Sequence, residues 1–376
     1  MNDKRWVEPD YDALERRVAI DASARGWCAG DEGPVLEVLQ AAFNGWPKIE
    51  ITVDPIDHLR WKMSSDPAAD RQHRIVESDG EIIGVTLYQI QRLKLRGRVI
   101  RVAGGVDSCI HPDYQGKGVH TALRARRRGR ARPGADAHFG LRNLGPVTSR
   151  IRERFGVKAF LIANRVEALV CALRPWPTDR MITAFEHVTL WARGNLARLR
   201  RAFRGRSHQR RAVREVSEFD GRIEAFCEEA SQPFEFMVIR DRDYLNWRYA
   251  DPRAGRFSIR LAEEDGRILG YAVLALSFGR GYIADLLALP GRADVVRSLL
   301  DDALTYFRAQ RVGAAECWLP KRHPYREAVR AAGFLGKRWT LPLVFRLYND
   351  EEREQGDFLR RKRARIHITA GDTDLV

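Results

Sequence analysis

Cysteine is scarce and scattered. The chain of 376 residues has five, Cys28, Cys109, Cys171, Cys227 and Cys317, and no two stand at CxxC spacing. An odd number at irregular intervals excludes a disulfide framework and a structural zinc site. A reducing compartment, the cytoplasm, is therefore expected, and no metal. Long apolar runs are also absent: the stretch from Tyr271 to Leu276 is among the longest, far short of the roughly 20 residues that span a bilayer. No apolar segment follows Met1–Trp6, so no signal peptide is expected. Lysine is the third shortage. Nine of the 65 basic residues are Lys and the rest Arg, against 50 acidic residues, for a net charge of +15. Such a charge attracts nucleic acid, anionic membrane or anionic cofactors. Arg at the expense of Lys also follows from GC-rich coding, so only local clusters are read for function.

What is present suits a globular protein. The composition is 44% hydrophobic, enough to bury a sizeable core. At about 100–200 residues per domain the length predicts two domains. An internal repeat agrees. Glu77-Ser78-Asp79-Gly80-Glu81-Ile82-Ile83-Gly84-Val85 matches Glu263-Glu264-Asp265-Gly266-Arg267-Ile268-Leu269-Gly270-Tyr271 at an offset of 186 residues. At the same offset Trp61-Lys62 matches Trp247-Arg248, each followed closely by Asp-Pro (Asp66-Pro67 and Asp251-Pro252). Two matches at one offset argue for duplication.

Each Asp-Gly lies between apolar runs, a strong hairpin signal. The predicted hairpins run from His73–Val76 into Ile82–Gln89 and from Ser258–Ala262 into Ile268–Ala275. In the first half a strand Val99–Ile110, a helix Gly116–Arg130, a strand Ala137–Leu141, a helix Val147–Arg154 and a strand Val157–Leu169 follow. The second half repeats this order: strand Tyr282–Ala288, helix Ala293–Gln310, strand Ala314–Leu319, helix Pro324–Ala332, strand Arg338–Leu347. The fold class is α+β, built twice. Between the halves Arg193–Arg214 holds nine Arg and no acid, with Leu196, Leu199 and Phe203 at helical spacing. It reads as a basic linker with a short amphipathic helix. A second cluster, Arg360-Arg361-Lys362-Arg363 with Arg365, opens a polar tail expected to be solvated. The expected division is 1–192, a linker 193–214, 215–349, and a tail 350–376.

The segment that points to chemistry is Val106-Asp107-Ser108-Cys109-Ile110-His111-Pro112-Asp113-Tyr114-Gln115-Gly116-Lys117-Gly118-Val119-His120-Thr121. A strand runs through a Pro-marked turn into a Gly-rich loop and then a helix. Gly116 and Gly118 let backbone amides turn toward a ligand, and the helix N-terminus adds free N–H groups and partial positive charge. Together these make a pyrophosphate cradle. Neither GxxxxGK[ST] nor GxGxxG is present.

Here the sequence resembles the GNAT acyltransferase superfamily. The loop Gln115-Gly116-Lys117-Gly118-Val119-His120 is similar to the family's Gln/Arg-x-x-Gly-x-Gly/Ala, with His120 where Gly or Ala is usual. The Ile110–Tyr114 turn and the Glu77–Gly84 hairpin are also typical. The loop and its hairpin cover about residues 28–170. The repeat extends the likeness to about 215–348, which implies two tandem GNAT-like domains, each a mostly antiparallel twisted sheet flanked by helices. The resemblance implies acetyl-CoA or another acyl-CoA as co-substrate. Its pyrophosphate would lie on the amides of Gly116, Lys117, Gly118, Val119 and His120, with Gln115 and Thr121 flanking, and its pantetheine arm along Cys109-Ile110. Arg124, Arg126, Arg127 and Arg128 could meet the 3′-phosphate. The implied reaction is transfer of an acyl group to an amine of a small-molecule acceptor. An amine is protonated near neutral pH, so a base is needed. Asp107 is the first candidate, since alternation would place Asp107, Cys109 and His111 on one face. His111 and His120 come next, and Cys109 as a covalent nucleophile last. Asn143 fits the family's Asn, but no Tyr follows it before Phe155-Gly156, so no general acid is assigned. In the second half Leu289-Pro290-Gly291-Arg292-Ala293 replaces the loop, which reads as a degenerate copy. The alternatives are a non-catalytic relative that contacts nucleic acid or membrane through its basic surface, and a transferase of the same fold that takes its acyl group from charged tRNA. The oligomeric state has no signal in the sequence.

Overall fold

The computed structural model describes residues 20–64, 73–120, 134–141, 161–175, 184–203, 211–277, 279–349, 358–359, 361 and 363–373. The first half contributes β1 (Ser23–Arg25), α1 (Glu32–Phe43), α2 (Pro55–Met63), β2 (Arg74–Ser78), β3 (Glu81–Leu95), β4 (Arg98–Ile110), β5 (Ala137–Leu141) and β6 (Leu161–Ala172). Helix α3 (Ala184–Phe203) and β7 (Val213–Val216) lead into the second half. That half holds α4 (Arg222–Ser231), β8 (Phe236–Val238), β9 (Phe257–Glu264), β10 (Arg267–Ser277), β11 (Arg280–Ala288), α5 (Ala293–Ala309), β12 (Ala314–Pro320), α6 (Arg326–Ala331), β13 (Gly336–Leu347) and β14 (Ile366–His367). The expected helix over 116–130 lies, beyond His120, outside the described residues, as does the helix over 147–154.

Both hairpins form where the sequence places them. Asp79 and Gly80 take φ of 52° and 81°, Asp265 and Gly266 50° and 75°. Paired positive φ values match a type I′ turn, whose twist suits the strands it joins. The glycine that closes each repeat has a packing reason. A Cβ on Gly84 would lie 2.6 Å from Ile110 Cδ1 and 3.6 Å from Val119, and one on Gly270 would lie 2.8 Å from Val295 and 2.9 Å from the Leu287 carbonyl. In both halves this bare spot on the third-strand hairpin seats a Val at the start of the following helix.

The strands form one 14-stranded sheet, whose main path runs β1-β2-β3-β4-β5-β13-β6-β12-β11-β10-β9-β7. It does not divide at residue 192. The last strand of each half crosses to the other: β13 pairs antiparallel with β5 over Leu343–Leu347, and β6 pairs antiparallel with β12 over Val166–Ala172. The two crossing strands then pair with each other. β8 reaches across as well, joining the end of β3 to β14. Each half therefore completes its sheet with the other's strand, and the largest buried cluster contains residues of both, from Leu93 and Phe139 to Leu304 and Phe334. The repeated tryptophans meet in space: Trp61 and Trp247 stack at 5.0 Å and 21°, and Trp61 Nε1 donates to the Trp247 carbonyl at 2.8 Å.

Within the basic stretch 193–214 the expected helix is present as the end of the helix Ala184–Phe203, and Val213 and Arg214 belong to β7, which pairs with β9. The tail, expected to be solvated, is corrected in part: Arg361, Arg363 and Arg365 are exposed, but every residue from Ile366 to Asp372 is buried.

Candidate active site

The site is built on β4. Its pairing with β3 shifts between Val85–Cys109 and Leu87–Val106, so Asp107 and Ser108 together face Thr86. That is a β-bulge, which bends the strand and re-aims side chains. Asp107 takes φ of 40° there, and the Ser108 and Thr86 hydroxyls meet at 2.8 Å. The bulge also breaks the alternation read from sequence. Val106 and Cys109, three apart, both pack with the cluster under α1 and α2. On its other side β4 pairs with β5 only at Val102–Ala137 and Ala103–His138. Beyond that point, among the described residues, β4 has no ladder partner toward β5, and β5 continues beside β13. Among the described residues the two parallel strands thus part after Ala103–His138.

Past β4, Pro112–Tyr114 form one 3₁₀ turn whose N-cap is His111. The His111 ring accepts from the Asp113 amide through Nδ1 at 3.4 Å and stands edge-on to Tyr114. This side chain is thus occupied in shaping the turn. Gln115 Nε2 donates to the Ile110 carbonyl at 3.2 Å, tying the loop to the end of β4. Gly116 and Gly118 take φ of 80° and 86°, the left-handed region that side chains resist. Val119 and His120 begin a helix. Val119 is buried against Val76, Ile83 and Ile110. Lys117 leaves its ammonium 5.0 Å over the Tyr114 ring. Two left-handed glycines followed by a helix start give the geometry that a pyrophosphate needs. Thr121, Asn143, Arg124, Arg126, Arg127 and Arg128 lie outside the described residues.

Asp107 has a partner that the sequence did not announce. Its carboxylate pairs with the Lys62 ammonium on α2, and both side chains are almost wholly buried. Lys62 also lies 5.6 Å over the Trp46 ring. His58, one turn earlier on α2, is sandwiched between Trp46 and Trp61 and hydrogen-bonds the Arg253 carbonyl through Nδ1 at 2.7 Å. Burial, and then the Lys62 charge, push the His58 ring down to about 4, so it is neutral near pH 7. The Cys109 thiol is pushed up to about 12, first by burial and then by the Asp107 charge. A thiol held protonated is a poor nucleophile, which argues against covalent catalysis at Cys109. The signal for Lys62 was present as the Trp-Lys half of the repeat; nothing in it showed that α2 would place this lysine against Asp107.

The second half lacks the cradle. Gly291 has φ of 77°, but Arg292 stands at the N-cap of α5. The first turn of α5 carries its own carboxylate, Asp294, hydrogen-bonded by Arg292 at 2.9 Å and Arg211 at 3.2 Å. Those bonds, Arg292's first, hold Asp294 well below the usual carboxylate range. The chain's own ion pairs thus occupy this helix start, where the first half presents glycine amides.

No family model and no curated protein matches the chain by sequence. Solved structures do match by fold. A probable N-acyltransferase of Enterococcus faecalis superposes with a TM-score of 0.57 at 12% identity, over 87% of this chain and 72% of its own. The N-myristoyltransferase of Saccharomyces cerevisiae, solved with bound myristoyl-CoA and inhibitors, gives 0.54 at 9% identity over 87% and 80%. A GCN5-related N-acetyltransferase of Kribbella flavida gives 0.52 at 16% identity over 88% and 72%. The chain has the GCN5-related N-acetyltransferase fold, a large, mostly antiparallel twisted sheet flanked by helices.

Proposed function

We propose that this chain is an acyl-CoA-dependent N-acyltransferase of the cytoplasm. It takes an acetyl group from acetyl-CoA and passes it to an amine of a small-molecule acceptor, in the first half. One observation carries the reading: a bulged strand that parts from its parallel neighbour and ends in two left-handed glycines and a helix start. On this reading the amides of Gly116, Lys117, Gly118, Val119 and His120 hold the pyrophosphate, with Gln115 and Thr121 beside them. The main chain of Cys109 and Ile110 lies along the pantetheine arm, and Asn143 belongs to the same wall.

Acyl-CoA supplies the activated carbonyl. The amine nitrogen bonds to that carbon, the carbon–sulfur bond breaks, and CoA leaves as the thiolate. The amine's proton goes to Asp107, directly or through a water. Lys62 keeps the Asp107 carboxylate oriented from the α2 side. Nearby Arg side chains and backbone dipoles stabilise the departing thiolate.

Binding is tested by thermal stabilisation. Acetyl-CoA at 100 times its Kd should stabilise the folded chain by about 2.7 kcal/mol, seen as a rise in Tm. No shift at millimolar acetyl-CoA contradicts the proposal.

A further inference from the structure

The ladders allow the two halves to be compared residue by residue. Gly84 faces Ile110 in the first half and Gly270 faces Ala288 in the second. Counted back from those residues along β4 and β11, Asp107 and Asp285 hold the same position, each three residues before. Val102 and Arg280 hold the same position eight residues before. Val102 pairs with Ala137 on β5, and Arg280 pairs with Ala314 on β12. Each half thus has two parallel strands that start together and then part, with an Asp a few residues past the last pair, Ala103–His138 in one half and Ile283–Cys317 in the other. β11 carries a register shift at this level too, between Val273 and Leu274 on its partner β10.

In the second half this opening is filled by the chain itself. Ile366 and His367 pair with β8. The His367 and His323 rings share a hydrogen bond at 2.9 Å, and His367 Nε2 lies 3.9 Å from Asp285. The Thr369 hydroxyl donates to Asp285 at 3.2 Å. Arg240 donates to Asp285 at 2.8 Å and to both oxygens of Asp372 at 2.9 Å. Arg248 donates to the Gly371 and Thr373 carbonyls at 3.3 and 3.1 Å. A Cβ on Gly371 would fall on the Tyr249 hydroxyl and 3.0 Å from the Ala284 carbonyl. The contacts read a peptide: two guanidinium groups, one for a carboxylate and one for main-chain carbonyls, a carboxylate for a hydroxyl, and a slot that admits only glycine. The cluster is fully buried and its formal charges cancel, with Arg240 and Arg248 against Asp285 and Asp372.

We infer that the second half has kept a ligand cleft and changed its ligand: it binds the chain's own C-terminal segment, Ile366–Asp372, as an internal peptide, so that each chain takes up a single acyl-CoA. The inference rests on the first half being the acyl-CoA site. It gives a geometric reason for the loss of the second cradle: with the opening filled from within, Asp294 and Arg292 at the start of α5 have no phosphate to meet.

Two measurements on the full chain test it. Calorimetric titration with acetyl-CoA should give one site per chain, and Gly116→Val should weaken it by about a hundredfold or more. Hydrogen exchange should show the amides of residues 366–372 slowed on the order of a thousandfold, equally in free and acetyl-CoA-saturated protein. Gly371→Val should speed exchange at these residues. Two sites per chain, one site that keeps its wild-type affinity in Gly116→Val, or exchange at 366–372 that is fast or quickened by acetyl-CoA would each overturn the inference. Fast exchange there leaves the first-half reading standing. Absence of any acetyl-CoA binding overturns that reading, and with it the single-site claim.

Discussion

Replacing Asp285 by Ala lowers the stability of the folded chain by about 3–5 kcal/mol, the cost of leaving a buried charge without its partner. Arg240 and Asp285 have no exposed side-chain surface, and Asp372 almost none. Without Asp285 the guanidinium keeps Asp372 as its counter-charge and the Val238 carbonyl as an acceptor, while the Tyr271 and Thr369 hydroxyls lose an acceptor at 2.9 and 3.2 Å. Since whole domains are stable by only about 5–15 kcal/mol, a denaturant titration will register this as a large fall in midpoint. A fall worth less than about 1 kcal/mol, the range of ordinary surface substitutions, would show that the cluster is not the anchor described here.

The Asp107→Asn variant lowers kcat by about 10²–10⁴, the range of general base catalysis, while the acetyl-CoA Kd stays at the wild-type value. The affinity is spared because the cradle is held by Gln115, Gly116, Gly118 and Val119, not by Asp107. Asparagine keeps the shape but leaves Lys62 charged in a buried place, so the fold is stressed as well. The double variant Lys62→Met/Asp107→Asn removes that stress, because both charges go together. It is expected to recover much of the stability and none of the rate. Near wild-type kcat in the double variant would exclude Asp107 as the base.

Much of the fold was legible because its signals are local. Asp79-Gly80 and Asp265-Gly266 fix two hairpins through backbone preference alone, and the strands on either side carry continuous apolar runs. The Gly116 and Gly118 loop was readable for the same reason, since positive φ marks itself in the residue type. What was not legible depends on distant partners. Helix α2 has a start signal in Asp54 and Pro55, yet its core face holds His58 and Lys62, polar residues that break the apolar stripe. Their burial makes sense only beside Trp46 and Asp107. The tail opens with Arg360–Arg365 and ends in polar residues, so it reads as solvated. Asp372 is buried because Arg240, 132 residues earlier, neutralises it. The crossing of β6 and β13 was hidden for a related reason: a strand apolar enough to end its own half fits the other half equally well. The bulge at Asp107 changes direction by one unpaired residue, and alternation cannot anticipate it.

If the Gln115–His120 loop holds a pyrophosphate, the phosphates of acetyl-CoA contribute to its affinity. The direct measurement compares acetyl-CoA with S-acetyl-pantetheine, which lacks the nucleotide and both bridging phosphates, in the wild type and in Gly116→Val. Hydrogen bonds to charged groups contribute about 1.5–3 kcal/mol each, and each 1.4 kcal/mol is about tenfold in Kd. Wild type should therefore prefer acetyl-CoA by at least about a hundredfold if two such bonds form, and Gly116→Val should bring the two ligands close to equal affinity. A preference for acetyl-CoA that persists undiminished in Gly116→Val would show that the pyrophosphate does not lie on this loop.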